Sequence, residues 1–452
     1  MQTVLFVLEL AVVLGAIVMG VRMGGMGLGI WGAVGVAVLV FVFRLAPGAV
    51  PGSAMLIILA VITAAAVMQA AGGIDFMVRI AAKIIRANPR YVTIIAPLVS
   101  YVFVVGAGTS NIFFPLIPVI YEVSYNSGIR PERPLSLSTI ATGFGITSSP
   151  VSAAMAAMIG LLAAKGVGIS QILIVTIPSS IIAILVGSLV MMRWGKDLKD
   201  DPEYQQRLKD GKVPPPKETP GDDTTAAPLP EGAALSAYIF ITGVIAVVVI
   251  GLFNGKTIAG FTLAMLPKGA DMTVAIQLIM FIVALLILLF CKAAKVSEVI
   301  KEPVFNSGVI AIVALFGIAW LANTFIAAYN SQIVALLNNW VTAVPLFFAV
   351  AVFIFAALTT SQSAATNTIV PIGLALPALG VGAIVAMWQA LCGVYFLPAN
   401  GNQLACVNTD LTGTTKIGKY VLNHSFMVPL LVCTVVAVGV GMVIQGFVPG
   451  LK

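Results

Sequence analysis

Charged side chains are scarce in this chain. Only 9% of its 452 residues are Asp, Glu, Lys or Arg, against roughly 25% in a soluble globular domain, which excludes a water-soluble fold. Histidine is nearly absent: the single one, His424, stands in Asn423-His424-Ser425 at the head of the last apolar segment and reads as an interfacial structural residue. The four cysteines, Cys291, Cys392, Cys406 and Cys433, are scattered in apolar segments without metal-ligand spacing, so they read as buried thiols. Of the 17 acidic residues, nine fall in one polar stretch and only Glu9 and Glu122 fall within apolar segments, which argues against a proton relay of paired membrane carboxylates. The glycine cluster Met23-Gly24-Gly25-Met26-Gly27-Leu28-Gly29 holds no P-loop and marks close helix packing. With no nucleophile, base and orienter in view, the chain does not read as an enzyme.

Apolar length is what the chain has instead. It is 60% hydrophobic with mean hydropathy +1.08, and its runs of about 20 apolar residues suit helices crossing a ~30 Å hydrocarbon core, not the alternating strands of a β-barrel. Spanning helices are predicted at 4–21, 27–43, 54–71, 135–162 and 171–192, and again at 236–254, 272–291, 307–328, 380–406 and 421–444. Between the third and fourth crossing of each half, 91–123 and 341–376 read as re-entrant hairpins, and the fourth crossings, 135–162 and 380–406, as broken helices. The predicted fold is an all-α integral membrane protein of two repeats, 1–192 and 236–452, joined by a linker at 193–235. Five crossings per repeat is an odd number, which inverts the second repeat against the first.

Basic residues set the orientation. With the N-terminus outside, 19 of the 24 Lys and Arg residues fall on the inner side and 5 on the outer; without the seven of the linker the split is 12 to 5. Both termini are thereby predicted to be periplasmic and the linker cytoplasmic. Met1-Gln2-Thr3 has no basic n-region, so the first helix is expected to be retained. Residues 72–90 put Ile74, Met77, Val78, Ile80, Ala81, Ile84 and Ile85 largely on one face, opposite Arg79, Lys83 and Arg86, as an interfacial helix on the inner surface would. Residues 330–340 hold the matching place on the outer surface. The linker, with Pro214-Pro215-Pro216 and both signs of charge, reads as a flexible tether too Pro-rich for a long helix.

Chemistry is expected where polar groups enter the apolar segments. Ser110-Asn111-Ile112-Phe113-Phe114-Pro115 and Thr366-Asn367-Thr368-Ile369-Val370-Pro371 share the pattern hydroxyl-Asn-x-x-x-Pro, one copy in each hairpin. Hydroxyls and carboxamides at membrane depth are costly unless they bind something, and repetition in inverted halves is hard to obtain from packing alone. The hairpin tips supply Thr109, Ser110, Asn111, Ser361, Gln362, Thr366 and Asn367; the helix breaks supply Ser149, Pro150, Pro398 and Asn400. Together they form the predicted substrate site, with Asn111 and Asn367 meeting near the midplane. Thr147, Ser148 and Ser149 on their own would be ordinary backbone-bonding residues of a membrane helix; the neighbouring Pro150 and the second break at Pro398 give them weight. Each helix N-terminus is worth roughly +0.5 charge, so two or three converging ends supply about +1 to +1.5 and suit an anion, even a divalent one. Oxygens near Gly108, Asn111, Ser363 and Asn367 suit a sodium ion. No organic cofactor is called for.

Several of these segments together carry a resemblance. GAGTSN with LIPVIYEV and GIRPERPLS, the TSSPVSAA break, the TSQSAAT tip, the late TGTTKIGKYVLNHSF and the linker opening DDPEYQQRLKDG resemble the anaerobic C4-dicarboxylate (Dcu) transporters, from the first helix to the last and closer to the A-type branch than the B-type. The resemblance implies exchange of fumarate, malate or aspartate for succinate across a bacterial inner membrane. More distantly, the architecture is similar to the ion-transporter superfamily, in which hairpin tips bind substrate and sodium and one domain moves as an elevator. The chain departs from the family pattern where Leu397-Pro398-Ala399-Asn400-Gly401-Asn402 replaces the usual Leu-Pro-Thr-Tyr-Pro. The partners implied are a small dicarboxylate and membrane lipid, with a homodimer allowed and no nucleic acid. A sodium- or proton-coupled symporter for another carboxylate is the alternative carrier; a membrane sensor or channel is the alternative of another class.

Overall fold

The computed structural model describes residues 2–23, 26–50, 52–216, 228–253, 257–258, 261–262, 265–267, 270–291, 295–376, 378–397, 400–417 and 423–451. Apart from a two-residue ladder pairing Thr257–Ile258 with Phe261–Thr262, every regular element among the described residues is helical. The first half runs α1 (Gln2–Met23), α2 (Gly27–Ala37), α3 (Gly52–Ala70), α4 (Gly73–Ala87), α5 (Val92–Ala107), α6 (Leu116–Asn126), α7 (Glu132–Ser148), α8 (Ala153–Leu162) and α9 (Ile169–Met191). A short α10 (Pro202–Lys209) follows. The second half runs α11 (Ala233–Phe253), α12 (Met272–Phe290), the single turn α13 (Val296–Val299), α14 (Pro303–Ala343), α15 (Phe347–Thr359), α16 (Gln362–Ala375), α17 (Val381–Met387, continued by a 3-10 stretch Trp388–Tyr395), α18 (Gly401–Thr409) and α19 (Met427–Gln445).

The same order of parts occurs twice: two helices, a bent one, a hairpin, a broken helix and a closing helix. The bend in the first half is the 74° turn between α3 and α4, and in the second it is the kink of α14 at Tyr329. Packing is reciprocal, with α2 on α14 and α12 on α3, α7 on α9 and α17 on α19, and α9 on α19. This is the all-α inverted-repeat membrane fold with hairpins and broken helices that the sequence predicts.

Six helices among the described residues are long and apolar enough to cross a membrane, and α3 with α4 makes a seventh as a bent pair. Val4–Gly20, Gly29–Val42, Phe316–Tyr329 and Val381–Tyr395, where crossings are also predicted, are apolar but shorter. Conversely Pro89–Ala107, predicted as one arm of a hairpin, reaches crossing length before the chain reverses at Gly108.

Local sequence accounts for the joints. Ser149 is extended (ψ 123) because Pro150 follows, and Ser152 then caps α8 by accepting from Met155 N–H at 3.1 Å. Of the predicted glycine cluster, Gly29 packs closely where α2 crosses α14, its carbonyl oxygen filling the space that a Cβ on Gly317 would take. The amphipathic reading of α4 holds for Ile74, Met77, Ala81 and Ile85, which are buried, while Ile80 and Ile84 are exposed. Most side chains of 330–340 lie outside the described residues.

The linker is more than a tether. Asp201 caps α10, and Leu198, Tyr204 and Val213 pack on Tyr125 of α6. The Arg130 guanidinium lies buried between Glu132 and Asp201, 2.5 Å from each carboxylate. Arg207 reaches the Leu411 carbonyl at 3.3 Å, and Lys416 lies 3.6 Å from Glu203. Burial pushes the Asp201 carboxyl up, but the Tyr204 N–H and the Arg130 guanidinium outweigh it and hold the group below the usual carboxylate range. The tether reading missed this because docking depends on loops far away in sequence.

Candidate substrate site

The two hairpin tips are built alike. Gly108 (φ +70) and Thr360 (φ +50) take the left-handed conformation, and the next residues, Thr109 and Ser361, are extended. Thr109 Oγ1 accepts from Asn111 N–H at 3.2 Å, and Ser361 Oγ accepts from Ala364 N–H at 3.3 Å. At Gly108 a Cβ would lie 2.7 Å from the Val151 carbonyl oxygen. Thr360 is β-branched at positive φ, a strained conformation of the kind that clusters at functional sites.

This register pairs Ser110 with Gln362 and Asn111 with Ser363. The hydroxyl-Asn-x-x-x-Pro match therefore runs four residues out of structural register. Asn367 lies one turn inside α16, fully buried, with Nδ2 donating to the Ser363 carbonyl at 2.7 Å, and it does not line the cavity. Thr366 is also internal: it donates to the Gln362 carbonyl at 2.7 Å and accepts from Trp388 Nε1 at 2.9 Å. The pattern misled because a polar residue on the second arm need not face the tip.

A cavity of about 330 Å³ lies between the tips. Gly108, Thr109, Ser110 and Asn111 line it from the first hairpin, Thr360 to Ser363 from the second, and Asn400 from the second helix break. Val61, Ile62 and Ala65 of α3, with Val304 and Gly308 of α14, form an apolar wall. Among the described residues, none that lines the cavity is charged. Among the described residues the Ser110 hydroxyl and Asn111 carboxamide make no hydrogen bond inside the protein, so both remain open to a ligand. Gln362 is half engaged, its Nε2 donating to the Gly143 carbonyl at 3.0 Å. Three helix N-termini reach the cavity: α8 through Ala153 and Ala154, α16 through Gln362 and Ser363, and α18 through its cap Asn400.

The other predicted residues fall elsewhere. Ser149 is buried and donates to the Val105 carbonyl at 2.7 Å, tying the first break to α5, and neither it nor Pro150 lines the cavity. Pro398 lies outside the described residues. Of the four residues named for sodium, Gly108, Asn111 and Ser363 line the cavity and Asn367 does not. His424 is buried, with Nε2 2.9 Å from the Phe396 carbonyl. The sequence reading missed Thr360 and Tyr395. Tyr395 lines the cavity and shares a 2.8 Å hydrogen bond with Thr142 Oγ1. Aligning the tips on their left-handed residues finds Thr360, whereas Tyr395 has no local signal.

Residues 5–448 match the profile of the family described as anaerobic C4-dicarboxylate membrane transporter. The chain is 37% identical to the C4-dicarboxylate transporter DcuA of Helicobacter pylori (strain 26695) over 448 residues, 97% of this chain and 98% of the relative. It is 36% identical to DcuA of Escherichia coli K12 over 444 residues (98% and 100%). It is also 36% identical to the anaerobic C4-dicarboxylate transporter DcuB of Escherichia coli O157:H7 over 443 residues (95% and 96%). These identities do not separate the A-type from the B-type. Among solved structures, the YdaH transporter of Alcanivorax borkumensis, described as having an unusual topology, is similar in fold, with TM-score 0.54 and 16% identity over 89% of this chain and 87% of that one.

Proposed function

The chain belongs to the anaerobic C4-dicarboxylate membrane transporter family, and on that premise we propose that it exchanges one C4-dicarboxylate for another across a bacterial inner membrane, fumarate, malate or aspartate entering against succinate. The observation that carries this reading is the uncharged cavity between the hairpin tips, approached by three helix N-termini. Their partial charges sum to about +1.5, close to what a dianion needs without a fixed counter-ion that would hold it too tightly to leave. Ser110 and Asn111 would donate to the substrate carboxylates. The polar lining comes from hairpins and broken helices and the apolar wall from α3 and α14, a division that supports elevator movement of the first set against the second. Moving a dianion inward against an inside-negative potential costs about 4.6 kcal/mol per 100 mV, at ~2.3 per charge. Exchange of like charges cancels that cost. In proteoliposomes, labelled fumarate should enter rapidly when succinate is trapped inside and slowly when the lumen is empty. Rapid concentrative uptake into empty vesicles under a sodium or proton gradient alone would overturn exchange in favour of symport.

A further inference from the structure

We propose that Glu9 of α1 binds a proton and that its occupancy sets the position of the second hairpin; only the link to transport rests on the carrier reading above. Glu9 is 2% exposed. Of the two acidic side chains in apolar segments, Glu122 pairs with Arg86 at 3.3 Å, whereas Glu9 has no ion pair among the described residues. The elements packed on α1 are α2 with its continuation Val38–Val42, α14 and α15, and none of them contains an Asp, Glu, Lys, Arg or His. The titratable group facing Glu9 is Tyr329 of α14, whose hydroxyl interacts with the carboxylate. The second carboxylate oxygen, Oε2, is buried without a partner.

A buried carboxylate without a counter-charge is destabilising by several kcal/mol, so stability does not account for it. An ionisable group in a membrane helix points to function. One carboxylate and one hydroxyl fall far short of the roughly six oxygens that a hard metal cation takes, which leaves the proton as ligand. It arrives from water, forms an O–H bond at Oε2 and returns to water.

Tyr329 connects this site to the substrate cavity. It is the kink residue of α14 (φ −122, ψ 20). Its ring packs 5.0 Å from Phe6 and 5.1 Å from Phe325. The same apolar cluster takes in Ala364 and Phe355, one from each arm of the second hairpin. Ala364 is bonded to Ser361 at the tip. A change of charge at Glu9 therefore acts on the packing that seats Ser361, Gln362 and Ser363 at the cavity.

Infrared difference spectra of the full-length protein in lipid, taken across a pH step, should contain a carboxylic-acid C=O band that Glu9→Gln lacks. Fumarate–succinate exchange should vary with pH by up to about tenfold per unit in the wild type, the ceiling for one proton, and by less than about twofold over the same range in Glu9→Gln. Tyr329→Phe keeps the ring packing and removes the hydroxyl, so the band should persist but shift. A Glu9→Gln protein with the wild-type spectrum or the wild-type pH profile overturns the proposal; if that variant does not fold, an unshifted band in Tyr329→Phe does so. Absence of exchange for every C4-dicarboxylate, with a band that Glu9→Gln removes, would overturn the carrier reading and support the proton site.

Discussion

Asn111 and Asn367 have the same side chain and different surroundings. Asn111 lines the cavity with an unengaged carboxamide, whereas Asn367 is buried inside α16. A donor to a charged ligand is worth about 1.5 to 3 kcal/mol, so Asn111→Ala should raise KM for fumarate roughly 10- to 150-fold with little change in melting temperature. Asn367→Ala should do the reverse, lowering thermal stability and leaving KM near the wild-type value. Equal KM effects for the two would show that cavity exposure is the wrong criterion. Ser110, Asn111, Ser361, Gln362 and Asn400 line the cavity, and the sequence singles them out because hydroxyls and amides are conspicuous in apolar runs. Thr366 and Asn367 stand out equally in the sequence but do not line the cavity: Thr366 is held by the Gln362 carbonyl and Trp388, and Asn367 donates to the Ser363 carbonyl while its Oδ1 is buried without a partner, which composition does not reveal. Gly108→Ala should also impair transport, since the position has φ +70 and the added methyl would press on Val151.

At the level of elements, periodicity and run length recovered the hairpins, the breaks and the amphipathic α4. They recovered little of the linker, because its order comes from Arg130, Glu132 and Leu411, residues remote from it in sequence. Asp201 gives that docking a definite pH dependence. Its folded-state pKa is depressed, so its contribution is fully present above the ordinary carboxylate value of about 3.9 and is lost as the pH falls through the lower folded value. Docking should therefore hold at neutral pH and loosen only in acid. Asp201→Asn removes a hydrogen bond to a charged partner, about 1.5 to 3 kcal/mol, and should speed tryptic cleavage at the exposed Lys209 and Lys212 by roughly 10- to 150-fold at neutral pH. Cleavage at the wild-type rate would mean that the Arg130 contacts do not hold the linker.

For the whole molecule, loops predicted to share one side do meet: Arg130, Asp201, Arg207 and Lys416 belong to one cluster of contacts. The Lys and Arg bias predicts that this side is cytoplasmic, which is testable without removing native cysteines, all four of which are buried. Lys212→Cys, at a side chain 66% exposed, should resist an impermeant thiol reagent in intact cells and react after permeabilisation; reaction from outside would reverse the predicted orientation. Net charge gives the sharper test of mechanism. Fumarate and succinate both carry −2 at neutral pH, so their exchange moves no net charge. Aspartate carries an ammonium group and a net −1, so aspartate entering against succinate moves one negative charge outward. At ~2.3 kcal/mol per 100 mV for one charge, an imposed inside-negative potential of about 100 mV should raise the aspartate accumulation ratio roughly 50-fold. The fumarate ratio should stay unchanged. The absence of a charged side chain among the described residues that line the cavity motivates this contrast, because none of them neutralises the difference between the two substrates. A proton accompanying aspartate outward or inward would alter the count, and an equal response of both substrates to the potential would rule out simple one-for-one exchange.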